Sequence, residues 1–323
     1  SDNVLSFKEA PDYETKTSYS ITLTLTDGTE TATKEVTIAI TNVNDVAPEF
    51  TSDAVFSAAE NQTAIGTVTA TDPEGDEWKN EDWNYASVVG MLLYVSNNTR
   101  PDIAFAVSQV ARFTSNPKVS HARAIKSIIR YLKGTIDKGL IFKVNDSYDL
   151  TCWVDADFAG LFGREPPSTR DSVKSRYGYV IEFGGVPLVW KSQLISEICT
   201  STCHAEYVGL SNALKRLLPI RELVMWLLKQ LDLPEQSISI GCKVFEDNQS
   251  AYTLATNQQL SVRTKYFAIK YHWFWDHVYH EKRNPKGFVN IEECSTDLMN
   301  ADYLTKGLQR VKFEANRKRI QGW

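Results

Sequence analysis

The sequence predicts two domains of different class: an all-β antiparallel sandwich fragment over residues 1–77, and an α/β fold with a mixed sheet flanked by helices beyond residue 85. The length of 323 residues fits two domains at ~100–200 residues each. Residues 1–78 hold three basic and 15 acidic residues, a net charge of −12, whereas the remainder has a net charge of +7. All five cysteines and all five histidines lie after residue 120, so the two parts also differ in composition.

The overall composition is that of a globular protein. Hydrophobic residues make up 42% and charged residues 23% of the chain, which excludes a wholly disordered, collagenous or membrane-embedded protein. No uncharged apolar run approaches the ~18–20 residues that cross a bilayer, so we expect no transmembrane segment. The odd number of cysteines, without CxxC spacing, argues against a complete disulfide framework. The second domain therefore has an intracellular character, whereas the acidic, cysteine-free first domain is typical of an extracellular or membrane-tethered protein.

The first domain is predicted to contain short antiparallel strands. Apolar and polar residues alternate over residues 19–25 and again over 36–40, which is the pattern of half-buried strands. Asp27-Gly28 lies between them and is a typical hairpin turn. Residues 64–70 form a third candidate strand. Short strands at regular spacing favour an antiparallel sandwich.

Four motifs in this domain resemble cadherin repeats. They match the end of one repeat and the start of the next: Asp12-Tyr13-Glu14, the linker over residues 42–50, Ala59-Glu60-Asn61, and residues 71–76. The resemblance implies an Ig-like sandwich fragment, neighbouring cadherin repeats as partners, and a Ca²⁺ site with hard oxygen donors. The implied ligands are Asp12, Glu14, Asn44, Asp45, Glu60, Asp72 and Glu74. Asn42 replaces a usual Asp and Val46 a usual Asn, and each change would remove an oxygen ligand and weaken binding.

The second domain is predicted to be a mixed sheet with helices on its faces. In chain order we expect helices over residues 101–113 and 121–132, strands over 150–155, 177–183 and 186–191, a helix over 201–231 that breaks or kinks at Pro219, a strand over 238–245, a helix over 270–281, a strand over 288–294 and a helix over 300–319. This order of strands and helices is typical of an α/β fold.

Four acidic residues stand where strands end or helices begin. Asp155 ends the first strand of this domain, Glu206 lies one turn into the long helix, Asp247 follows a strand, and Asp302 opens the last helix. Such positions meet at one edge of a sheet, where ligand sites gather. Four carboxylates without a basic partner would repel each other unless they surround divalent cations. Two ions ~3.5–4 Å apart are the usual arrangement for phosphodiester hydrolysis, so the pattern predicts a Mg²⁺ or Mn²⁺ site.

The surrounding motifs resemble the ribonuclease H domain of a copia-type LTR retrotransposon polyprotein. They are residues 153–160, 190–192, 201–207, 246–251 and 300–308. Residues 85–94, 99–103 and 124–134 resemble the last part of the reverse transcriptase of the same family. The implied domains are cadherin-like repeat fragments at 1–77, a junction at 78–84, a helical reverse transcriptase segment at 85–145, a ribonuclease H-like domain at 146–310 and a basic tail at 311–323.

The resemblance implies an activity and its residues. Asp155, Glu206, Asp247 and Asp302 would be the catalytic, metal-binding tetrad, and the substrate would be the RNA strand of an RNA–DNA hybrid. Basic residues that would face the hybrid's phosphates are Arg263, Lys265, Lys270, Lys282, Arg283 and Lys286. Residues 266–268 and His204 depart from the family's pattern, though neither change touches the tetrad. No Tyr-x-Asp-Asp polymerase motif occurs, so we expect a separate polymerase portion to act with this chain.

Two other interpretations of the whole chain stay open at this point. In one, the chain is a calcium-binding adhesion module whose transposon-derived tail has no activity. In the other, it is a composite relic with no working part. An intact tetrad favours a metal-dependent ribonuclease H, whereas the departures in the calcium motifs count against the adhesion module.

Overall fold

We describe a computed structural model of the chain at residues 7–11, 16–40, 49–50, 70–71, 83–143, 149–163, 171–231, 240–262 and 264–323. The chain divides into two compact units, Ser1–Glu77 and Trp78–Trp323. Within the described residues, no helix combines the length and the apolar character needed to span a membrane.

The first unit contains the predicted hairpin. Strand β1 (Ser18–Thr26) pairs antiparallel with β2 (Thr31–Ala39), which confirms the two strands and the turn between them. The turn forms because Asp27 Oδ1 accepts hydrogen bonds from the N–H groups of Thr29 and Glu30, and Gly28 adopts a φ of 96°. Two further short strands, β3 (Glu49–Phe50) and β4 (Ala70–Thr71), also pair antiparallel. The third candidate strand, over residues 64–70, lies outside the described residues except for its last residue.

The second unit contains the remaining helices and strands. In chain order they are α1 (Tyr85–Asn98), a 3₁₀ turn (Pro101–Ile103), α2 (Ala104–Ala111), α3 (Val119–Gly134), β5 (Leu150–Asp157), β6 (Arg176–Phe183), β7 (Val186–Leu194), α4 (Thr202–Gln230), β8 (Cys242–Glu246), α5 (Gln249–Asn257), two 3₁₀ turns (Ile269–Tyr271 and Trp273–His277), β9 (Val289–Glu293), α6 (Asp302–Thr305) and α7 (Arg310–Gln321). Helix α4 continues through Pro219 without the predicted break.

The five strands of this unit form one mixed sheet with the order β7-β6-β5-β8-β9. Strands β5, β6 and β7 pair antiparallel, whereas β5, β8 and β9 run parallel. Helix α4 packs on the sheet and buries apolar side chains that include Leu210, Leu214 and Leu217 against it. This strand order with flanking helices is the ribonuclease H-like α/β fold, which confirms the fold predicted for the second domain.

Helices α1, α2 and α3 share a small core of their own and also contact the sheet. The Trp190 indole Nε1 in β7 donates to the Ser96 carbonyl oxygen at 2.7 Å, and the guanidinium of Arg176 in β6 donates to Gln109 Oε1 at 3.2 Å. Ala104 of α2 is buried in one apolar cluster with Val180, Trp190 and residues of α6 and α7. The helical segment is therefore part of the same compact unit as the sheet.

Two predicted helices are wrong. Over residues 270–281 the structure has two 3₁₀ turns. Tyr, His, Trp and Phe are weak helix formers. In addition, Asn284 Nδ2 donates hydrogen bonds to the carbonyl oxygens of Asp276 and Val278. Over 300–319 the chain forms α6 and α7 with a break between them. Lys306 is extended there (φ −143°, ψ 160°) and is followed by Gly307, a residue that disfavours helix interiors.

Candidate functional site

Three elements carry the predicted acidic residues to one edge of the sheet. Asp155 is in β5, and Asp247 follows the last residue of the neighbouring parallel strand β8. Glu206 is in the second turn of α4, whose first turn is capped by Ser201 Oγ accepting from the N–H of His204 at 3.1 Å. Asn248 caps α5 in the same way, because its Oδ1 accepts from the N–H groups of Ser250 and Ala251. Both caps fix the direction in which a helix leaves the site.

The structure brings Asp155, Glu206 and Asp247 together. One carboxylate oxygen of each lies within 4.8 Å of those of the other two. Asp155 is 2% exposed and Glu206 4% exposed, whereas Asp247 is partly exposed. Among the described residues, Glu206 Oε2 has no hydrogen-bond partner, and neither Glu206 nor Asp247 forms an ion pair. We refer to these three residues as the open cluster.

Asp302 lies next to this cluster but has different neighbours. It is 0% exposed at the start of α6. Its Oδ1 is 2.7 Å from the ammonium of Lys306, and its Oδ2 forms an ion pair with Lys312 of α7. Lys306 Nζ is also 3.8 Å from Asp155 Oδ2, the oxygen that accepts a hydrogen bond from Thr305. We refer to Asp302, Lys306 and Lys312 as the lysine cluster.

Gly178 allows α6 to come this close to the sheet. It is paired with Asp155 in the ladder between β5 and β6. A Cβ atom on residue 178 would lie 2.6 Å from the Cβ of Leu304 in α6, a distance that would force the helix away. The missing side chain therefore places Asp302 and Lys306 beside Asp155.

Burial and mutual repulsion perturb the open cluster. The pKa of Asp155 is raised to about 7, chiefly by burial, with smaller increases from Asp302 and Asp247; the Lys306 ammonium and the Thr305 hydrogen bond oppose the shift. Burial also raises the pKa of Glu206 well above its usual value, and Glu246 and Asp155 add to the increase. Burial lowers the pKa of Lys306, but the carboxylates of Asp155 and Asp302 outweigh this effect and raise it.

The donor set of the open cluster fits a hard divalent cation. The ligand atoms are carboxylate oxygens, which suit Mg²⁺ and Mn²⁺. The buried Glu206 Oε2 lacks a partner, as expected of an oxygen that a cation would complete. The three side chains line a cavity of about 430 Å³, together with Thr202, Asn248 and Lys306. This cavity shares Thr202 and Asn248 with a larger cavity of about 770 Å³ beside the starts of α4 and α5.

Sequence reasoning did not single out Glu246, Lys306 or Lys312. Glu246 ends β8, is fully buried, and its Oε1 accepts from the N–H of Asn248 at 3.2 Å; burial raises its pKa well above its usual value. The position of Lys306, four residues after Asp302, was a usable signal, since side chains at that spacing meet on a helix. Nothing local in the sequence indicates Lys312, because it reaches Asp302 from a different helix.

The predicted nucleic-acid-binding residues differ in how free their charges are. Lys265, Lys282 and Lys286 are exposed. Lys270 forms an ion pair with Glu197 at 2.9 Å, and Arg283 donates to the carbonyl oxygens of Asn257 and Gln258. Arg263 lies outside the described residues. So do all seven predicted calcium ligands: Asp12, Glu14, Asn44, Asp45, Glu60, Asp72 and Glu74.

Comparison with known proteins finds similarity to transposon polyproteins. It is 36% identical over 230 residues to the retrovirus-related Pol polyprotein from transposon TNT 1-94 of Nicotiana tabacum, a match that covers 71% of this chain and 16% of that protein. Over that region the chain is similar to a Pol polyprotein of a transposon. The corresponding polyprotein from transposon RE2 of Arabidopsis thaliana is 31% identical over 236 residues, which is 73% of this chain and 15% of that protein. The chain thus spans about one sixth of the length of these Pol relatives.

The other comparisons give weaker matches. No protein-family model matches the chain. Among solved structures, the N-terminal RNase H domain of Rv2228c from Mycobacterium tuberculosis, a fusion with maltose-binding protein, is 14% identical with a TM-score of 0.29, covering 53% of this chain and 98% of that chain. At that TM-score, the strand order and strand directions remain the basis for the fold. The first unit has only 77 residues, so most of each Pol match, 230 and 236 residues long, lies in the second unit.

Proposed function

We propose that the second unit is a metal-dependent nuclease that cleaves the RNA strand of RNA–DNA hybrids. The observation that carries the proposal is the open cluster: three carboxylates within 4.8 Å of one another, at the edge of a ribonuclease H-like sheet. A fold alone does not establish a function, so the proposal depends on this site.

Asp155, Glu206 and Asp247 would hold the cation. When bound, a divalent cation polarises a phosphoryl oxygen and lowers the pKa of a bound water, which makes hydrolysis feasible near neutral pH. The chain's own residues would supply position and charge balance. Thr202 and Asn248 line the cavity at the starts of α4 and α5 and offer hydrogen-bond donors to a phosphodiester there. Two ions, as the sequence predicts, would additionally require an oxygen of Asp302, and both of its oxygens contact lysine ammonium groups.

The exposed lysines would bind the hybrid's backbone. Lys265, Lys282 and Lys286 are free to neutralise phosphates, whereas Lys270 and Arg283 already have partners on the chain. Replacing the three exposed lysines by Gln is expected to raise KM, to leave kcat nearly unchanged, and to weaken the dependence of KM on salt. A fall in kcat with unchanged KM would contradict this role.

The polymerase activity is proposed to reside in a separate portion. The chain matches at most 16% of the length of the two relatives described above, and it carries no Tyr-x-Asp-Asp motif. We propose that α1, α2 and α3, which resemble the end of a reverse transcriptase, present the nuclease to that portion.

A calcium-binding adhesion module stays the alternative for the first unit. It rests on the cadherin-like motifs of the sequence alone. Titration of the full chain with Ca²⁺, compared with an Asp45→Asn, Asp72→Asn variant, tests it. Binding that both substitutions weaken would support the alternative, and no binding in the wild type would contradict it.

The nuclease proposal is tested with the full chain, Mg²⁺, and a hybrid labelled on the RNA strand. We expect RNA cleavage that Asp155→Asn and Asp247→Asn abolish, and no cleavage of a DNA duplex of the same sequence. Asp276→Asn is the matched control, because Asp276 is an exposed carboxylate outside the cavity. No cleavage by correctly folded wild-type chain would contradict the proposal.

A further inference from the structure

In the lysine cluster, the positive charge is supplied by a lysine ammonium of the chain. Lys306 Nζ lies 2.7 Å from Asp302 Oδ1 and 3.8 Å from Asp155 Oδ2, so its ammonium stands between two buried carboxylates. This is the place at which a second divalent cation would have to bind Asp302. Lys312 contacts the other oxygen of Asp302, so neither oxygen is free for an ion.

The backbone holds Lys306 in this place. Asp302 and Lys306 are four residues apart across α6, and Gly178 lets that helix lie directly against β6 beside Asp155. Thr305, the residue before Lys306, donates to Asp155 Oδ2 and ties the same turn to β5. A divalent ion between Asp155 and Asp302 would therefore have to displace this ammonium against charge repulsion.

Within the part of the chain that the structure describes, two of the three carboxylates of the open cluster have no such internal cation. Glu206 and Asp247 form no ion pair with any described residue, and Glu206 Oε2 is buried without a partner. A divalent ion there would meet three carboxylates, and among them only Asp155 has a described lysine within 4 Å.

We propose that Lys306 takes the place of a second divalent cation, so that the site binds one ion, at Asp155, Glu206 and Asp247. The inference rests on the proposed metal-dependent function and refines it, since two ions were expected from the sequence. Lys306 balances the charge of Asp155 and Asp302, but an ammonium only donates hydrogen bonds and cannot coordinate a water.

The test counts ions on the full chain. Chain stripped of metal is titrated with Mn²⁺, and free Mn²⁺ is measured by electron paramagnetic resonance. The count for each protein is compared with that of the same protein carrying Asp155→Asn, so that ions bound elsewhere, including in the first unit, cancel. We expect Asp155→Asn to remove one ion from the wild type and two ions from Lys306→Gln. Lys306→Arg keeps the positive charge and should lose one.

Lys243→Gln is the matched control. Lys243 pairs with Asp149 at 3.0 Å near the start of β8, away from Asp247 at the end of that strand, so the difference should stay at one ion. A loss of two ions from the wild type would overturn the inference while leaving the nuclease proposal intact, and this result does not depend on how any lysine variant folds. A loss of one ion from folded Lys306→Gln would also overturn it. No loss from the wild type would contradict metal binding at the open cluster, and with it the proposed function.

Discussion

The open cluster and the lysine cluster adjoin each other at Asp155, yet their carboxylates have opposite surroundings. Glu206 and Asp247 form no ion pair among the described residues, whereas Asp302 has a lysine on each oxygen. The charge of Asp302 is already balanced by two lysines of the chain. Glu206 is buried without a paired cation, so its burial should destabilise the fold until a bound cation balances its charge. Carboxylates of the same chemical type therefore differ in expected role: those without a lysine partner can bind a cation, whereas Asp302 is paired within the chain.

Glu206→Gln should have the largest effect, and it should act in two directions. Hydrolysis of the hybrid is expected to fall by about 10³-fold or more, because the cation would lose a charged ligand. In EDTA at pH 8, the free energy of unfolding should rise by about 1–3 kcal/mol. The raised pKa of Glu206 makes the wild-type folded state costly at this pH, whether the carboxyl is buried as a charge or holds a proton, and Gln removes that cost. Urea unfolding with and without Mg²⁺ measures this, and a destabilised variant in EDTA would contradict the account.

Asp302→Asn should have the opposite effect on stability. Removing the carboxylate leaves Lys306 and Lys312 close together without their counter-charge. We expect a loss of about 2 kcal/mol, below the ~3–5 kcal/mol of a fully buried pair, because both lysine side chains are about one-third exposed. The same urea unfolding in EDTA checks it. An unchanged midpoint would show that the lysine cluster does not stabilise the fold.

Gly178→Ala should weaken the contact between the two clusters. The added Cβ would meet Leu304, so α6 must shift, at a cost of about 1–2 kcal/mol. Gly90→Ala is the control, because a Cβ on that residue of α1 meets nothing within 4 Å. Thermal unfolding of both variants compares them, and equal midpoints would argue against the close packing of α6 on β6.

Glu182 provides a third environment, a buried carboxylate whose partner is neutral. Its Oε2 accepts from the Trp153 indole Nε1 at 3.0 Å, and burial raises its pKa. The folded state therefore holds the proton more tightly than the unfolded state, so this residue's contribution to stability is full below the unfolded pKa. It falls as the pH rises from the unfolded value through the folded one.

Glu182→Gln should remove that pH dependence and raise stability at neutral pH by up to about 1 kcal/mol. Unfolding midpoints between pH 4 and pH 8 measure the difference between variant and wild type. A difference that does not change with pH would contradict a raised pKa for Glu182.

Much of this site follows from local patterns in the sequence. The strands predicted over 150–155, 177–183 and 186–191 and the helix predicted over 201–231 match β5, β6, β7 and α4. The positions of Asp155 and Glu206 near element ends, and of Asp247 directly after β8, were therefore predictable. These elements are long or strongly periodic, and their side chains follow the geometry of the backbone.

The lysine cluster could not be predicted in the same way. It depends on Gly178, whose importance appears only when α6 lies against β6, and on Lys312, which comes from a helix separated from α6 by Gly307. The segment over residues 270–281 also differed from the predicted helix. Two 3₁₀ turns bury Tyr271 and Phe274 in the hydrophobic core instead. Tertiary contacts decide both cases.

The most direct test of the contrast between the two clusters is the anomalous scattering of Mn²⁺ in crystals of the full chain. We expect one peak in this cavity, among Asp155, Glu206 and Asp247, with Lys306 still paired with Asp302. A second peak between Asp155 and Asp302, or no peak at the open cluster under saturating Mn²⁺, would contradict it.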